Sequence, residues 1–168
     1  GLALSFAYGK VKNYDRVTHY AGFDSTTNDY PVEYEYADGT MINPFYMKDV
    51  YRSEYVNESG SLNKWSIGAA LDVSPLWSLG FAFHFYTGEY LYKNEFSQED
   101  ENNIYNSVML GQDVAEVTGE RNFNYDLKGL EVGIGFLFNP WQGFRTGLRI
   151  DVPLSFRVVE NYEELSSI

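Results

Sequence analysis

Residues 65–86 read WSIGAALDVSPLWSLGFAFHFY. On both sides of the Ser74-Pro75-Leu76 break every second residue is apolar: Trp65, Ile67, Ala69, Leu71 and Val73 before it, Trp77, Leu79, Phe81, Phe83 and Phe85 after it. The residues between are small or polar, namely Ser66, Gly68, Ala70 and Asp72, then Ser78, Gly80, Ala82, His84 and Tyr86. A period of two puts alternate side chains on opposite faces of a strand. Ser-Pro-Leu supplies the residues of a tight turn. The stretch therefore predicts an antiparallel hairpin in which facing residues sum to 150. Leu71 then faces Leu79, Ile67 faces Phe83 and Trp65 faces Phe85, while Ser66 meets His84 and Asp72 meets Ser78 on the other side.

The same alternation recurs at Leu2, Leu4, Phe6 and Tyr8, at Leu130 through Phe138, and at Phe144 through Phe156. Five strands follow, each long enough for the ~9 to 11 residues of a tilted transmembrane strand. The last two are joined by the short segment Asn139 to Gly143. The remaining connections, Asn13 to Asn63 and Asn94 to Glu120, are long and carry nine and seven of the 24 acidic residues against three basic ones. Within them, Phe45 to Val56 and Asn102 to Leu110 are expected to form short amphipathic helices.

Alternation does not say whether the apolar face meets a protein core or lipid, so the opposite face decides. A half-exposed soluble sheet shows Lys, Glu, Thr and Gln to water. Here that face is Gly, Ala and Ser with sparse charges, which suits an enclosed lumen. Short turns at one end and long acidic loops at the other match an outer-membrane barrel. Trp77 and Trp141 at the turn ends, with Trp65, Tyr90, Tyr92 and Tyr125 toward the loop ends, are expected to form two interfacial girdles. The expected fold is all-β: residues 1–168 are one domain, a fragment of an antiparallel transmembrane up-and-down β-barrel cut at both ends, with about five long strands and two long extracellular loops. The competing fold is a soluble antiparallel barrel or sandwich. No apolar run reaches the ~18 to 20 residues of a membrane helix, and Gly1 to Lys12 contain no signal-peptide pattern.

Two stretches carry a family resemblance: ESGSLNKWSIGAALDVSPLWSLGFAFHFYTGEY at 58–90 and LKGLEVGIGFLFNPWQGFRTGLRIDVPLSFRVVENY at 127–162. Gly60, Asn63, Trp65, Gly68, Ala70, Asp72, Ser74, Leu79 and Gly80 carry it in the first hairpin, and Gly129, Gly133, Gly135, Asn139, Gly147 and Arg149 in the second. The chain resembles the long-chain fatty acid transporter family of outer-membrane proteins. That resemblance implies a barrel of about fourteen strands with an N-terminal plug, which passes hydrophobic molecules by diffusion through an opening in its wall. Neither the plug nor enough strands for closure is present in these residues.

Composition narrows the function. With 12 Lys and Arg against 24 Asp and Glu, a formal net charge of -12 leaves no basic stripe for phosphates, so no nucleic-acid partner is expected. There is no Cys, hence no disulfide or thiolate site. The expected function is passive transport of hydrophobic compounds, long-chain fatty acids or similar, across the bacterial outer membrane. Its partners are outer-membrane lipid, lipopolysaccharide and a hydrophobic small molecule. No enzyme activity, cofactor or metal is expected. A structural or adhesion barrel without transport is the second reading and an outer-membrane hydrolase the third.

Tyr34, Tyr36, Phe45, Tyr46, Met47 and Tyr51, with Tyr30 and Tyr55, are candidates for capturing an apolar ligand, since rings and Met adapt to greasy surfaces. Asp72, His84, Glu131, Arg145, Arg149, Asp151 and Arg157 are the candidate polar groups of the lumen, with Glu131 and Arg149 expected to pair. Ser66 beside His84 suggests a hydrolase dyad but brings neither an orienting acid nor an oxyanion hole. Glu99, Asp100 and Glu101 could hold a cation loosely at the outer rim. Pro153 removes one ladder donor and should weaken pairing in its strand unless a bulge absorbs it, the alternative being a local gap in the wall.

Overall fold

The computed structural model describes residues 1–25, 31–32, 45–106 and 113–167. The described residues form antiparallel strands and no helix. In chain order these are β1 (Leu2–Asn13), β2 (Arg16–Asp24), β3 (Pro31–Val32), β4 (Phe45–Tyr46), β5 (Val50–Asp72), β6 (Trp77–Glu99), β7 (Glu116–Trp141) and β8 (Phe144–Ser167). The main sheet runs β1-β5-β6-β7-β8, with β2 also paired to β5, and β3 pairs β4 separately. The sheet is not closed: β1 and β8 are its edges.

The five strands read from alternation are all present, and four of them are far longer than the apolar pattern. β5 to β8 hold 23, 23, 26 and 24 residues. Much of what reads as long loop is therefore strand, continued through polar residues that the ladder accepts as readily as apolar ones. β2 was not legible as a strand at all. The expected helix over 45–56 is corrected to β4 and the start of β5, where Arg16↔Glu58 through Asp24↔Val50 tie the segment into a ladder with β2. The part of the expected second helix over 102–106 contains no helix, and its remainder lies outside the described residues.

The chain divides into two compact units. The first comprises Gly1–Asp15, Ser59–Leu91 and Asn124–Asn161. In it, β1 pairs β5 from Leu2↔Leu71 to Asn13↔Ser61, with a bulge between Lys10 and Lys12. The Ser74 turn closes as the register requires. Val73 N–H donates to Trp77 C=O at 2.9 Å, and Ser74 Oγ accepts from the Leu76 and Trp77 amides, both at 3.2 Å. The second turn is tighter than expected, with Gln142-Gly143 alone outside the strands and Gly143 at φ +93 supplying the left-handed residue. β8 continues through Pro153 as the sheet's edge, the place where a strand proline is tolerated.

Along β6 exposure runs opposite to that of a soluble sheet, whereas on β1 both faces are exposed. Along β6 the odd positions are open, with Trp77 at 38%, Phe81 at 53%, Phe83 at 49% and Phe85 at 43%, while His84 between them is 4% exposed. Ile67, Ile134 and Phe136 are exposed in the same way. Leaving about half of each such side chain in water forgoes roughly half of the 1.5 to 3 kcal/mol that full burial contributes. The second unit (Arg16–Glu58, Tyr92–Phe123, Tyr162–Ile168) has an ordinary small core of Met47, Val50, Phe96, Tyr105, Val114 and Val117. Tyr105 clasps it: its hydroxyl accepts from Lys48 N–H at 2.7 Å and donates to Lys48 C=O at 3.2 Å.

Two glycines of the first unit hold β5 against β6. Gly60 has φ +111, and a Cβ there would overlap Glu89 C=O; one at Gly88 would overlap Ser61 C=O. Substituting Gly60→Ala should therefore destabilise the fold by about 2 to 4 kcal/mol. Equilibrium urea unfolding of the purified chain measures this, and an unchanged midpoint would contradict the register at Gly60.

Candidate functional site

The face opposite the bulky side chains is lined by Ser5, Gly68, Ala70, Gly80, Ala82 and Gly133, with one dense group of charges among them. Its centre is His84. Because β5 and β6 alternate in register, the even positions Lys64, Ser66, His84 and Tyr86 share this face, and hydrogen bonding of β7 and β8 to the same sheet brings Glu131, Arg149 and Asp151 alongside. Gly133 leaves room for the cluster, since a Cβ there would overlap Asp151 Oδ1.

The hydrogen bonds fix the imidazole. His84 Nδ1 lies 2.8 Å from Ser66 Oγ and Nε2 lies 2.6 Å from Arg149 Nη2. A guanidinium only donates, so Nε2 is the acceptor and Nδ1 carries the proton. Arg149 also donates from Nε and Nη2 to Asp151 Oδ1, each at 2.8 Å. Glu131 takes Lys64 Nζ on Oε1 at 3.3 Å and the Tyr86 hydroxyl on Oε2 at 3.2 Å. His84 Nε2 is 3.9 Å from Glu131 Oε1 and 3.8 Å from Asp151 Oδ1. Two cations and two carboxylates thus balance around a neutral, buried ring.

Among the sequence candidates, the structure brings His84, Glu131, Arg149 and Asp151 together. The expected Glu131–Arg149 pair is replaced by two others, Glu131 with Lys64 and Arg149 with Asp151. Asp72 stands apart and accepts from Ser78 Oγ at 2.6 Å. Arg145 and Arg157 are exposed on β8 and make no ion pair among the described residues. Lys64 and Tyr86 were missed, although both fall on the even positions that carry Ser66 and His84. The Ser66–His84 dyad offers Ser66 an N–H rather than a base in this tautomer, so the geometry lends it no nucleophile.

The aromatic candidates divide. Tyr34 and Tyr36 lie outside the described residues; of Phe45 and Tyr46 the backbone is described, as β4. Met47 is fully buried in the core of the second unit, and Tyr51 is partly exposed. Tyr90 and Tyr125 do not join a girdle on the bulky face. They fall in the alternation phase of His84 and Gly133, with ring centroids 5.7 Å apart, and Tyr14 adds a third ring 4.9 Å from Tyr90. Tyr92, at an even position of β6 in the second unit, meets Phe123 edge-on at 5.6 Å.

That second unit carries its own polar groups, also missed by pattern reading. Arg52 pairs with Glu54 at 3.4 Å and Asp24 at 3.9 Å, and Asn94 donates to Glu54 at 2.6 Å. Lys93 lies between Glu95 at 2.6 Å and Glu120 at 3.1 Å, and its hydrogen bonds to both raise its pKa above the ordinary value. Glu120 is held below its ordinary value by the Asn122 amide and then by Lys93. An open cleft of about 480 Å³ is lined by Ser53, Tyr55, Glu95, Phe96, Thr118 and Glu120, among others.

Compared with family models, with curated proteins and with solved structures, the chain finds no match.

The cluster should behave as coupled pairs. Lys64→Met and Glu131→Gln are each expected to cost about 1 kcal/mol, both side chains being partly solvated. The double variant should lose less than the sum of the two, because Lys64 and Glu131 interact directly. Strict additivity in urea unfolding would show that the two groups do not interact in solution.

Proposed function

We propose that this chain is part of the wall of a bacterial outer-membrane β-barrel that lets hydrophobic compounds, long-chain fatty acids or molecules like them, cross by passive diffusion. One observation carries the reading: along β6 the exposed positions are Trp77, Leu79, Phe81, Phe83 and Phe85, while Ser78, Gly80, Ala82 and His84 between them are the less exposed ones. In water that arrangement forgoes burial at every alternate residue. Against acyl chains it is the favourable one.

Further support comes from the strand ends. Trp77 stacks on Phe138 at 4.1 Å and Trp141 on Phe144 at 5.0 Å beside the short turns, and Trp65 packs on Tyr8 at 4.4 Å further along the strands. Such rings favour the boundary between hydrocarbon and headgroups. Strands of 23 to 26 residues exceed the ~9 to 11 needed to cross, so their polar continuations would stand outside the bilayer. The choice of an apolar rather than an aqueous solute rests on Tyr14, Tyr90 and Tyr125, which add a group of rings to the small-residue face beside its charged cluster.

The test is uptake. A bacterial host lacking its own fatty-acid channel, expressing the gene that encodes this chain, should take up radiolabelled oleate several-fold faster than the host alone, with no gain for a small sugar. Protein in the outer membrane without any gain in oleate uptake would overturn the transport reading and favour the structural or adhesion one.

A further inference from the structure

We propose that His84, Glu131 and Asp151 form a site for one divalent transition-metal ion of the Zn²⁺ type, and that Arg149 is the cation that fills it when the metal is absent. One imidazole nitrogen and two carboxylate oxygens are a donor set such ions accept. The three donor atoms lie within 4.8 Å of one another. Ligand atoms about 2.0 to 2.1 Å from zinc sit roughly 3.3 Å apart, so the observed 3.8 and 3.9 Å from His84 Nε2 close with small side-chain rotations.

The surrounding hydrogen bonds already orient the donors. His84 donates its Nδ1 proton to Ser66 Oγ, which directs the Nε2 lone pair toward the carboxylates, and Tyr86 holds Glu131 by Oε2, so that Oε1, which also accepts from Lys64 Nζ, faces His84. Such outer contacts fix the tautomer and direction of metal ligands. Arg149 Nη2 now stands between two of the three donors, 2.6 Å from Nε2 and 2.8 Å from Asp151 Oδ1. That guanidinium is displaceable. Its side chain is 54% exposed, on an edge strand, whereas His84 beneath it is almost fully buried. Lys64 stays against Glu131, so exchanging Arg149 for a divalent ion raises the local charge by only one. The donors are 47 and 20 residues apart in sequence, so strand pairing alone assembles them. The site would exist whether or not the strands cross a membrane.

Titration of the full chain with Co²⁺, stripped beforehand with a chelator and followed by visible absorption, tests this. The expected result is one Co²⁺ per chain with ligand-field bands, displaced by Zn²⁺. His84→Gln and Asp151→Asn should weaken binding by about 10-fold or more, and Arg149→Met should strengthen it. Circular dichroism of each variant establishes that the sheet is retained. Equal affinity in His84→Gln would assign the ion to exposed carboxylates and overturn the proposal. So would binding by Arg149→Met alone, which would make the guanidinium a permanent occupant.

Discussion

A strand side chain has two directions open to it, and in this protein that constraint separates greasy bulk from everything else. Once Phe81, Phe83 and Phe85 take one face of β6, His84 is forced onto the other with Gly80 and Ala82. Charges on that second face have no long polar neighbours to shield them. They must find each other, and the cluster of Lys64, His84, Glu131, Arg149 and Asp151 is the result. The glycines follow from the same requirement, since Gly133 clears space for Asp151.

The apolar strands and the hairpin register were legible because their signal is local. Counting from Ser74-Pro75-Leu76 places Ser66 opposite His84, and the structure puts their side chains 2.8 Å apart. What was not legible lies where the signal fails. β2 and the ends of β5 to β8 are polar, so alternation of hydrophobicity vanishes although the ladder continues. Phe45, Met47, Val50, Tyr51 and Tyr55 satisfy a helical spacing nearly as well as an extended one, and pairing with β2 settles the matter only in three dimensions. Tyr90 and Tyr125 were read by ring type alone, whereas parity along the strand assigns them to the face of His84.

The site was half legible for a similar reason. Each of His84, Glu131, Arg149 and Asp151 stands out as a charge or imidazole among small residues, so each could be named singly. Which carboxylate takes which cation depends on the offset between β7 and β8 and on β5 reaching Glu131 through Lys64, and neither is encoded in local spacing. Lys64 was overlooked because it precedes the apolar run, although two residues before Ser66 is the same face.

The central claim is that the bulky face meets hydrocarbon. Nitroxide labels placed singly at positions 79 to 83 and 85, in protein reconstituted into lipid bilayers, report this through collision with molecular oxygen, which concentrates in acyl chains, and with a water-soluble nickel chelate. The account predicts oxygen accessibility that peaks at 79, 81, 83 and 85 and falls at 80 and 82, with the chelate excluded from every peak. Chelate access at 81 and 83, or an oscillation of the opposite phase, would contradict it.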